Sequence, residues 1–272
     1  MKKMRELFRI TRQPELENAS LIVGWERDAG GVATRVIDYI IKSIKGKSFC
    51  EIEPIDFFQL GGVEVDNDVA QFSGNRLFAG GMKDLILFMG NQPQFNHFRF
   101  LNVMLDVAHN HCQIKELYTI SATVSSIPYN SPRQILAVYN TQEFQNSLRT
   151  YELMDMTWEG PPALNSFLLF TAKMRHIPGV SLWPEIPFYL ATVDDYRAQK
   201  STLGFFNKRF NLNIGLDILD EAIERQSREM LKLRKQDPQV DHYMKLLDKR
   251  VSLSQEDSIN LANKVSQFLF NK

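Results

Sequence analysis

The sequence predicts an α/β fold in which helices cover both faces of a mostly parallel or mixed central sheet, followed by a C-terminal helical appendage. Between residues 21 and 190, short apolar runs alternate with longer segments in which apolar residues recur every three or four positions. The run Leu85–Met89 is apolar at every position, as expected for a strand buried on both faces. After about Asp195 the strand patterns stop. We therefore expect an α/β core domain over residues 1–195 and a helical subdomain over residues 196–272.

The predicted strands are apolar runs bounded by glycine, proline or polar residues. Residues 63–72 alternate between apolar and polar side chains, so we expect a hairpin arm there, at or near an edge of the sheet. Helical spacing of apolar residues predicts helices over residues 32–44 and 98–108. In chain order the predicted strands are Leu21–Val23, Phe49–Ile52, Val63–Val65, Leu85–Met89, Leu117–Ile120, Ile135–Val138 and Val180–Trp183.

Helix signals dominate the later part of the chain. Pro161 and Pro162 suit the first turn of a helix, where a missing amide hydrogen is harmless, and this helix should run to about Lys173. In the appendage, apolar residues beneath alternating charges predict a helix over residues 221–235. A break at Asp237 and Pro238 precedes two more predicted helices, over residues 240–247 and 254–269.

The most informative local feature is a strand that runs through a glycine-rich turn directly into a helix. The turn contains Gly24, Asp28, Gly30 and Gly31. Glycine permits positive φ and close approach of another group, and the start of a helix offers unpaired amide groups. Such a turn often lies beside a ligand or an interface.

Composition excludes several classes of function. Lys plus Arg and Asp plus Glu both number 32, and no basic run is long enough to follow a phosphate backbone, so nucleic-acid binding is not expected. No segment has the length and apolar character of a membrane span or a signal peptide, so we expect a cytoplasmic protein.

Cys50 and Cys112 lack CxxC spacing and predict two buried thiols. His109 and His111 would point about 200° apart on a helix, which argues against a metal site.

The sequence contains no complete motif for binding a cofactor or for catalysis by a nucleophilic side chain. Glycines at positions 24, 30 and 31 do not have the spacing of a dinucleotide-binding turn. The segment Gly46-Lys47-Ser48 resembles the end of a phosphate-binding loop, but Ile41 occupies the position of its first glycine. The segment 179–183 lacks the last glycine of a hydrolase elbow. We therefore expect no cofactor.

What remains is a rim of polar and glycine residues where predicted strands end. Ligands of open α/β sheets gather at the carboxyl ends of the strands. Asp28, Glu159 and Glu185 are the candidate catalytic carboxylates, since two carboxyl groups can divide the roles of acid and base. In the alternative interpretation, Asp28 caps its helix and the glycines only shape turns. The ligand or interface rim comprises Gly24, Asp28, Gly30, Gly31, Gly90, Gln94, Arg99, Ser125, Ser126 and Gly160.

Six blocks of the chain, taken in order, resemble one protein family. They are GWERDAGGVATRVIDYI, VEVDNDVAQF, DLILFMGNQPQFNHFRF, YTISATVSSIPY, MTWEGPPALNS and IPGVSLWPEIPFYL. Together they resemble the family built around the second proteasome assembly chaperone, over roughly residues 21–190. The resemblance implies an α/β fold similar to that of nucleoside phosphorylases and hydrolases, and homo-oligomers. In some members it also implies a role in building proteasome particles.

The carboxyl terminus departs from the family pattern. Members that dock on proteasome rings typically end in a hydrophobic residue, a tyrosine and any last residue, whereas this chain ends Phe270-Asn271-Lys272. Asn271 replaces the tyrosine, so ring docking through this terminus is not expected. The resemblance and the missing motifs together predict a non-catalytic assembly chaperone or scaffold that acts through contacts with other proteins. The alternative is an enzyme or binder of nucleoside-like or phosphorylated small molecules, using the rim.

Overall fold

The structure is a computed structural model that describes residues 7–59, 64–66, 69–71, 74–80, 83–157 and 163–270. In these ranges the strands are β1 (Phe8–Ile10), β2 (Ser20–Trp25), β3 (Lys47–Ile52), β4 (Glu64–Asp66), β5 (Val69–Gln71), β6 (Asn75–Ala79), β7 (Leu85–Gly90), β8 (Glu116–Ile120), β9 (Thr123–Ser125), β10 (Ile135–Tyr139), β11 (Met154–Asp155) and β12 (Gly179–Pro187). The helices in the same ranges are α1 (Val32–Ser43), α2 (His97–Cys112), α3 (Gln142–Ser147), α4 (Leu164–Met174), α5 (Tyr196–Phe210), α6 (Asp217–Gln236), α7 (Pro238–Asp248) and α8 (Gln255–Phe270).

The main sheet is mixed, as the sequence predicts. Its strand order is β1-β3-β6-β7-β2-β8-β12-β10-β11, and β9 pairs with β12 outside this path. Strand β2 is parallel to both β7 and β8, and β9 is parallel to β12. On the other side of β7, the pairs β6–β7, β3–β6 and β1–β3 are antiparallel. The predicted α/β class with a mixed central sheet is confirmed.

The chain divides into two compact units. The first contains the residues through Glu26, together with Ile37–Ile120 and Ala137–Ser181. The second contains Arg27–Val36, Ser121–Leu136 and the residues from Leu182 onward. In the described part of the chain the last strand ends at Pro187 and only helical elements follow it. The predicted division into domains at residue 195 stays a prediction.

The core of the first unit is built on strands that are buried on both faces. Every residue of β2 is buried, and because successive side chains of a strand point to opposite faces, both faces of the sheet are covered. On one face, Trp25 packs edge-to-face against Phe88, and Phe57 packs in the same way against Phe100 of α2. The indole Nε1 of Trp25 donates a 2.7 Å hydrogen bond to Oδ1 of Asn165 in α4. Strand and helices of this unit are therefore joined by both apolar packing and a buried hydrogen bond.

The second unit contains a fully buried ion pair. Arg133 Nε lies 3.0 Å from Oδ2 of Asp195, and the two side chains are 1% and 0% exposed. The same guanidinium donates to the main-chain oxygens of Pro128, Tyr129 and Ser131, and Asp195 Oδ1 accepts from the amide of Ala198 at the start of α5. A separate apolar cluster of this unit includes Tyr189, Leu190, Met230, Leu233, Val240, Tyr243, Met244, Leu247, Leu261 and Val265.

Some elements differ from the prediction. The hairpin expected at the sheet edge over residues 63–72 is a separate two-stranded sheet, β4–β5, among the described residues, and Val63 lies outside them. The strand beside β7 is instead β6, a five-residue strand that the sequence analysis missed. The three predicted helices of the appendage correspond to α6, α7 and α8, but α5 was not predicted. No described helix is long and apolar enough to span a bilayer.

The buried ion pair makes a prediction about stability. Replacing Arg133 with Met leaves the buried carboxylate of Asp195 without its counter-charge, so we expect the free energy of unfolding to fall by about 3–5 kcal/mol. Urea denaturation followed by circular dichroism measures this change. The matched control is Arg228→Met, because Arg228 pairs with Glu224 on the exposed surface of α6 and its loss should change stability by less than about 0.5 kcal/mol. Equal effects of the two variants would contradict the prediction.

Candidate functional site

The glycine-rich turn follows β2 and ends where α1 begins. Gly30 and Gly31 have φ angles of +67° and +58°, in the left-handed region that favours glycine. The amide of Gly30 donates a 2.9 Å hydrogen bond to the oxygen of Ala191, and its own oxygen accepts from the amide of Asp195 at 2.9 Å. The side-chain amide of Gln199 donates to the same oxygen at 3.3 Å. The main-chain groups of Gly30 are therefore occupied by the protein itself.

A Cβ atom would also be crowded at both positions. A Cβ atom added to Gly30 would lie 3.1 Å from Cδ1 of Ile186, and one added to Gly31 would collide with Oδ1 of Asp194. The carboxylate of Asp194 also accepts two hydrogen bonds from Arg35, at 3.1 and 3.2 Å. The close approach that the glycines permit is therefore made by a carboxylate of this chain, next to the start of α1.

Asp28 contacts the first turn of α1 directly. Its carboxylate accepts hydrogen bonds from the amides of Ala33 and Thr34 at 2.6 and 3.3 Å, and from the hydroxyl of Thr34 at 3.2 Å. Burial raises the pKa of Asp28 above its usual value, and these hydrogen bonds oppose the increase. These contacts are those of a helix-capping residue, which the sequence analysis gave as the alternative to a catalytic role.

Three other members of the predicted rim lie in the second unit with Asp28, Gly30 and Gly31. Glu185 stands opposite Thr123 in the parallel pairing of β12 with β9, and the amide of Glu185 donates to the oxygen of Gln134 at 2.9 Å. Ser125 ends β9 and Ser126 follows it. Ser125 Oγ is buried and finds no hydrogen-bond partner in the part of the chain that the structure describes.

The remaining described rim residues belong to the first unit. Gly24 pairs with Met89 of β7, and Gly90 at the end of β7 contacts the side chain of Asn75 so closely that a Cβ atom would not fit. Gln94 accepts a 2.8 Å hydrogen bond from the amide of Gln59, and Arg99 forms an ion pair of 3.3 Å with Asp56. These contacts attach the start of α2 to the loop after β3.

The structure therefore places the rim residues in two units. Glu159 and Gly160 lie outside the described residues. Convergence of Asp28, Glu159 and Glu185, and a catalytic role for any of them, stay predictions. Among the described residues, no cluster of three or more His, Cys, Asp or Glu side chains is arranged to hold a metal ion.

The sequence analysis missed the residues that hold the turn in place. Asp194 and Asp195 precede α5, and Arg133 lies in the segment between β9 and β10. An aspartate immediately before a helical pattern is a capping signal that would have identified Asp195, had α5 been predicted. Its pairing with Arg133 joins residues 62 positions apart and has no local signal.

Large apolar side chains are exposed on the first unit, on a surface that we call the α4 face. Phe98, Phe170 and Met174 are 48%, 56% and 69% exposed. The ring of Phe98 contacts that of Phe167, with centroids 4.9 Å apart, and both rings line a surface cleft of about 530 Å³ with Leu164. Phe170 and Met174 line a second cleft of about 650 Å³. The α4 face is defined as Phe98, Leu164, Phe167, Phe170 and Met174.

The sequence model of the PAC2 family matches residues 21–234. This chain belongs to the PAC2 family. The match confirms the resemblance to proteasome assembly chaperones that the six sequence blocks indicate, and it extends beyond them to residue 234. No curated protein matches the chain.

Several solved structures share the fold of this chain. A protein of unknown function from Corynebacterium glutamicum has a TM-score of 0.77 at 14% identity, covering 90% of this chain and 96% of that one. PbaB of Pyrococcus furiosus, an archaeal proteasome activator, has a TM-score of 0.70 at 21% identity, with coverage of 84% and 98%. A proteasome-assembly chaperone homologue of Mycobacterium tuberculosis has a TM-score of 0.71 at 18% identity, with coverage of 82% and 99%. At these identities the likeness establishes the fold.

The turn glycines give a first prediction for this site. Alanine at position 30 or 31 must adopt a left-handed backbone and meet Ile186 or Asp194, so each variant should lose about 1–2 kcal/mol of stability or more. Chemical denaturation measures the loss. Gly204→Ala is the control, since Gly204 lies inside α5 with open space around it, and alanine there should add about 0.5–1 kcal/mol. Wild-type stability of both turn variants would contradict the assignment.

Asp28 gives a prediction about pH. The pKa of Asp28 is raised in the folded protein, so folding favours its protonated carboxyl group. The free energy of unfolding of the wild type therefore increases through this residue as pH falls from 7 toward 3.8, the usual pKa of an aspartate. Asp28→Asn removes this gain. The free energy of unfolding of the variant, relative to wild type, should therefore decrease as pH is lowered. Asp38→Asn, at a more exposed site within α1, is the control, and parallel pH profiles for Asp28→Asn and wild type would contradict the prediction.

Proposed function

We propose that this protein is an assembly chaperone or scaffold that acts through contacts with other proteins and does not catalyse a reaction. The observation that carries the proposal is the occupation of the glycine-rich turn by the protein's own groups. The amide and oxygen of Gly30 and the carboxylate of Asp28 all have partners within the second unit. A substrate at this turn would have to displace hydrogen bonds that also hold the fold.

Family membership supports the same class of role. A proteasome activator and a proteasome-assembly chaperone homologue share the fold over more than four-fifths of this chain. We propose that this protein likewise assists the assembly of a multi-subunit protein complex in the cytoplasm, where the free thiols of Cys50 and Cys112 remain reduced. Homo-oligomerisation is part of this proposal.

The alternative function is binding or conversion of a nucleoside-like or phosphorylated small molecule at the rim. Its support is the raised pKa of Asp28, because buried carboxyl groups of raised pKa often act in acid–base chemistry. The capping hydrogen bonds of Asp28 account for the same residue without a ligand.

Thermal-shift measurements distinguish the two functions. Nucleosides, nucleotides, inorganic phosphate and divalent cations are each added to the purified protein. A ligand present at 100 times its Kd would stabilise the folded state by about 2.7 kcal/mol. We expect no shift with any of these compounds, whereas cross-linking in the host followed by mass spectrometry should recover protein partners. A reproducible shift that Asp28→Asn abolishes, while the variant remains folded, would overturn the proposal in favour of the alternative.

A further inference from the structure

One face of β9 and β12 carries polar side chains that have no hydrogen-bond partner among the described residues. In the parallel pairing of the two strands, Thr123 stands opposite Glu185 and Ser125 stands opposite Pro187. Trp183 is two positions before Glu185 on β12, and residues two apart on a strand point to the same face. We call this surface the β9–β12 face and define it as Thr123, Ser125, Trp183 and Glu185.

The other face of the same two strands serves the fold. It carries Val124 and Ile186, which pair with each other. Ile186 is buried, and its Cδ1 would lie 3.1 Å from a Cβ atom added to Gly30. The glycine-rich turn is therefore contacted from the apolar face, and the polar side chains of the β9–β12 face take no part in holding it.

Two of the polar atoms on the β9–β12 face are buried. Trp183 Nε1 and Ser125 Oγ donate to no acceptor in the part of the chain that the structure describes. An unpaired buried donor destabilises a folded protein, and native proteins pair nearly all such groups. Both side chains are only half-buried as a whole, so the face reaches solvent. A ligand that supplies acceptors would account for both donors.

We propose that the β9–β12 face binds an extended segment of a partner protein that carries a lysine or an arginine. This inference rests on the proposed function, in which the protein acts through contacts with other proteins. It adds the place of the contact and the chemistry of the partner.

Charge distinguishes between the kinds of ligand. The carboxylate of Glu185 is half-buried and forms no ion pair with a described residue. A carboxylate beside the two donors repels phosphate and other anions, so neutral acceptors suit Trp183 and Ser125 better. The same carboxylate attracts a cation. Main-chain carbonyl groups are neutral acceptors, and the side chain of a lysine or an arginine supplies the positive charge.

The spacing of the side chains suits an extended peptide. Trp183 and Glu185 are two positions apart on β12, which corresponds to about 6.7 Å along a strand. An extended peptide repeats its carbonyl groups on one side with the same period. Glu185 also lies near the carboxyl end of β12, which ends at Pro187, and ligands of α/β sheets bind at the carboxyl ends of strands.

The first test selects ligands for the purified protein from a phage-displayed library of random dodecapeptides. We expect the selected peptides to share a lysine or an arginine. Isothermal titration with a synthetic peptide of the selected sequence then gives its dissociation constant. Glu185→Gln should raise this constant about tenfold or more, because it removes a charge-assisted hydrogen bond. Glu221→Gln, at an exposed carboxylate of α6, is the matched control and should leave the constant unchanged.

Trp183→Phe separates binding from a role in the fold. The variant keeps an aromatic ring but removes the N–H donor, so the free protein no longer buries this unpaired group. We expect the melting temperature to stay the same or rise, while the dissociation constant of the peptide rises about threefold or more. Ser125→Ala should behave in the same way. Lower melting temperatures of both variants with unchanged peptide affinity would overturn the inference.

A reversal of charge makes the test specific. Glu185→Lys should abolish binding of the selected peptide, and a peptide with glutamate in place of its basic residue should bind this variant. Selection of no peptide, or of peptides without a basic residue, would overturn the inference. Equal affinity of wild type and Glu185→Gln for the selected peptide would also overturn it.

Failure of this inference and failure of the proposed function give different results. A host protein that cross-links equally to wild type and to Glu185→Lys would overturn the contact at the β9–β12 face and leave the proposed function in place. A thermal shift with a nucleoside that Glu185→Gln abolishes would overturn both, and it would assign the β9–β12 face to a small molecule.

Discussion

The buried ion pair between Arg133 and Asp195 is the interaction on which the second unit depends. It joins the segment before β10 to the start of α5, and the amide of Asp195 donates to the oxygen of Gly30 in the turn before α1. Three separate segments of the chain therefore meet at one carboxylate residue. A buried ion pair is stable only when its remaining donors and acceptors are satisfied. Here the main-chain oxygens around Arg133 and the amide of Ala198 fulfil that requirement.

This arrangement explains how a turn of the kind that often binds ligands can have a structural role instead. A strand, a glycine turn and a helix start are the parts from which many α/β proteins build an anion site. In this chain the oxygen of Gly30 faces donors from Asp195 and Gln199, and the carboxylate of Asp194 stands against Gly31. A carboxylate of the protein itself occupies the space near the helix start. The glycine-rich turn, which the sequence predicts as a ligand site, is thus held by hydrogen bonds and contacts within the protein.

The sequence predicted the parts of the fold that depend on local patterns. Leu85–Met89 is apolar throughout and was correctly assigned to a strand, and the charged amphipathic pattern of α6 was equally clear. Strand β6 was missed because its Asn75 and Arg76 break the apolar pattern, and its position depends on pairing with β3 and β7. Helix α5 was missed because Gly204 and neighbouring polar residues interrupt its apolar spacing.

The candidate site shows the same division. Positive φ at Gly30 and Gly31 is permitted by the local sequence, whereas the side chains nearest to them, Ile186 and Asp194, come from more than 150 positions away. Only the folded chain brings Asp194 and Asp195 to the turn. The α4 face was missed for a related reason: Phe170 and Met174 fit the pattern of a buried helix, and their exposure depends on what the rest of the chain leaves uncovered.

The measurement that tests this account most directly is amide hydrogen exchange in the purified protein without added ligand. The account predicts slow exchange at Gly30, Ala33, Thr34 and Asp195, comparable with the core strands β2 and β7, because each of these amides donates to a partner in the fold. Fast exchange at the four amides, with protection appearing only when a small molecule is added, would contradict it. The turn would then be an open binding site and not a turn held by hydrogen bonds within the protein.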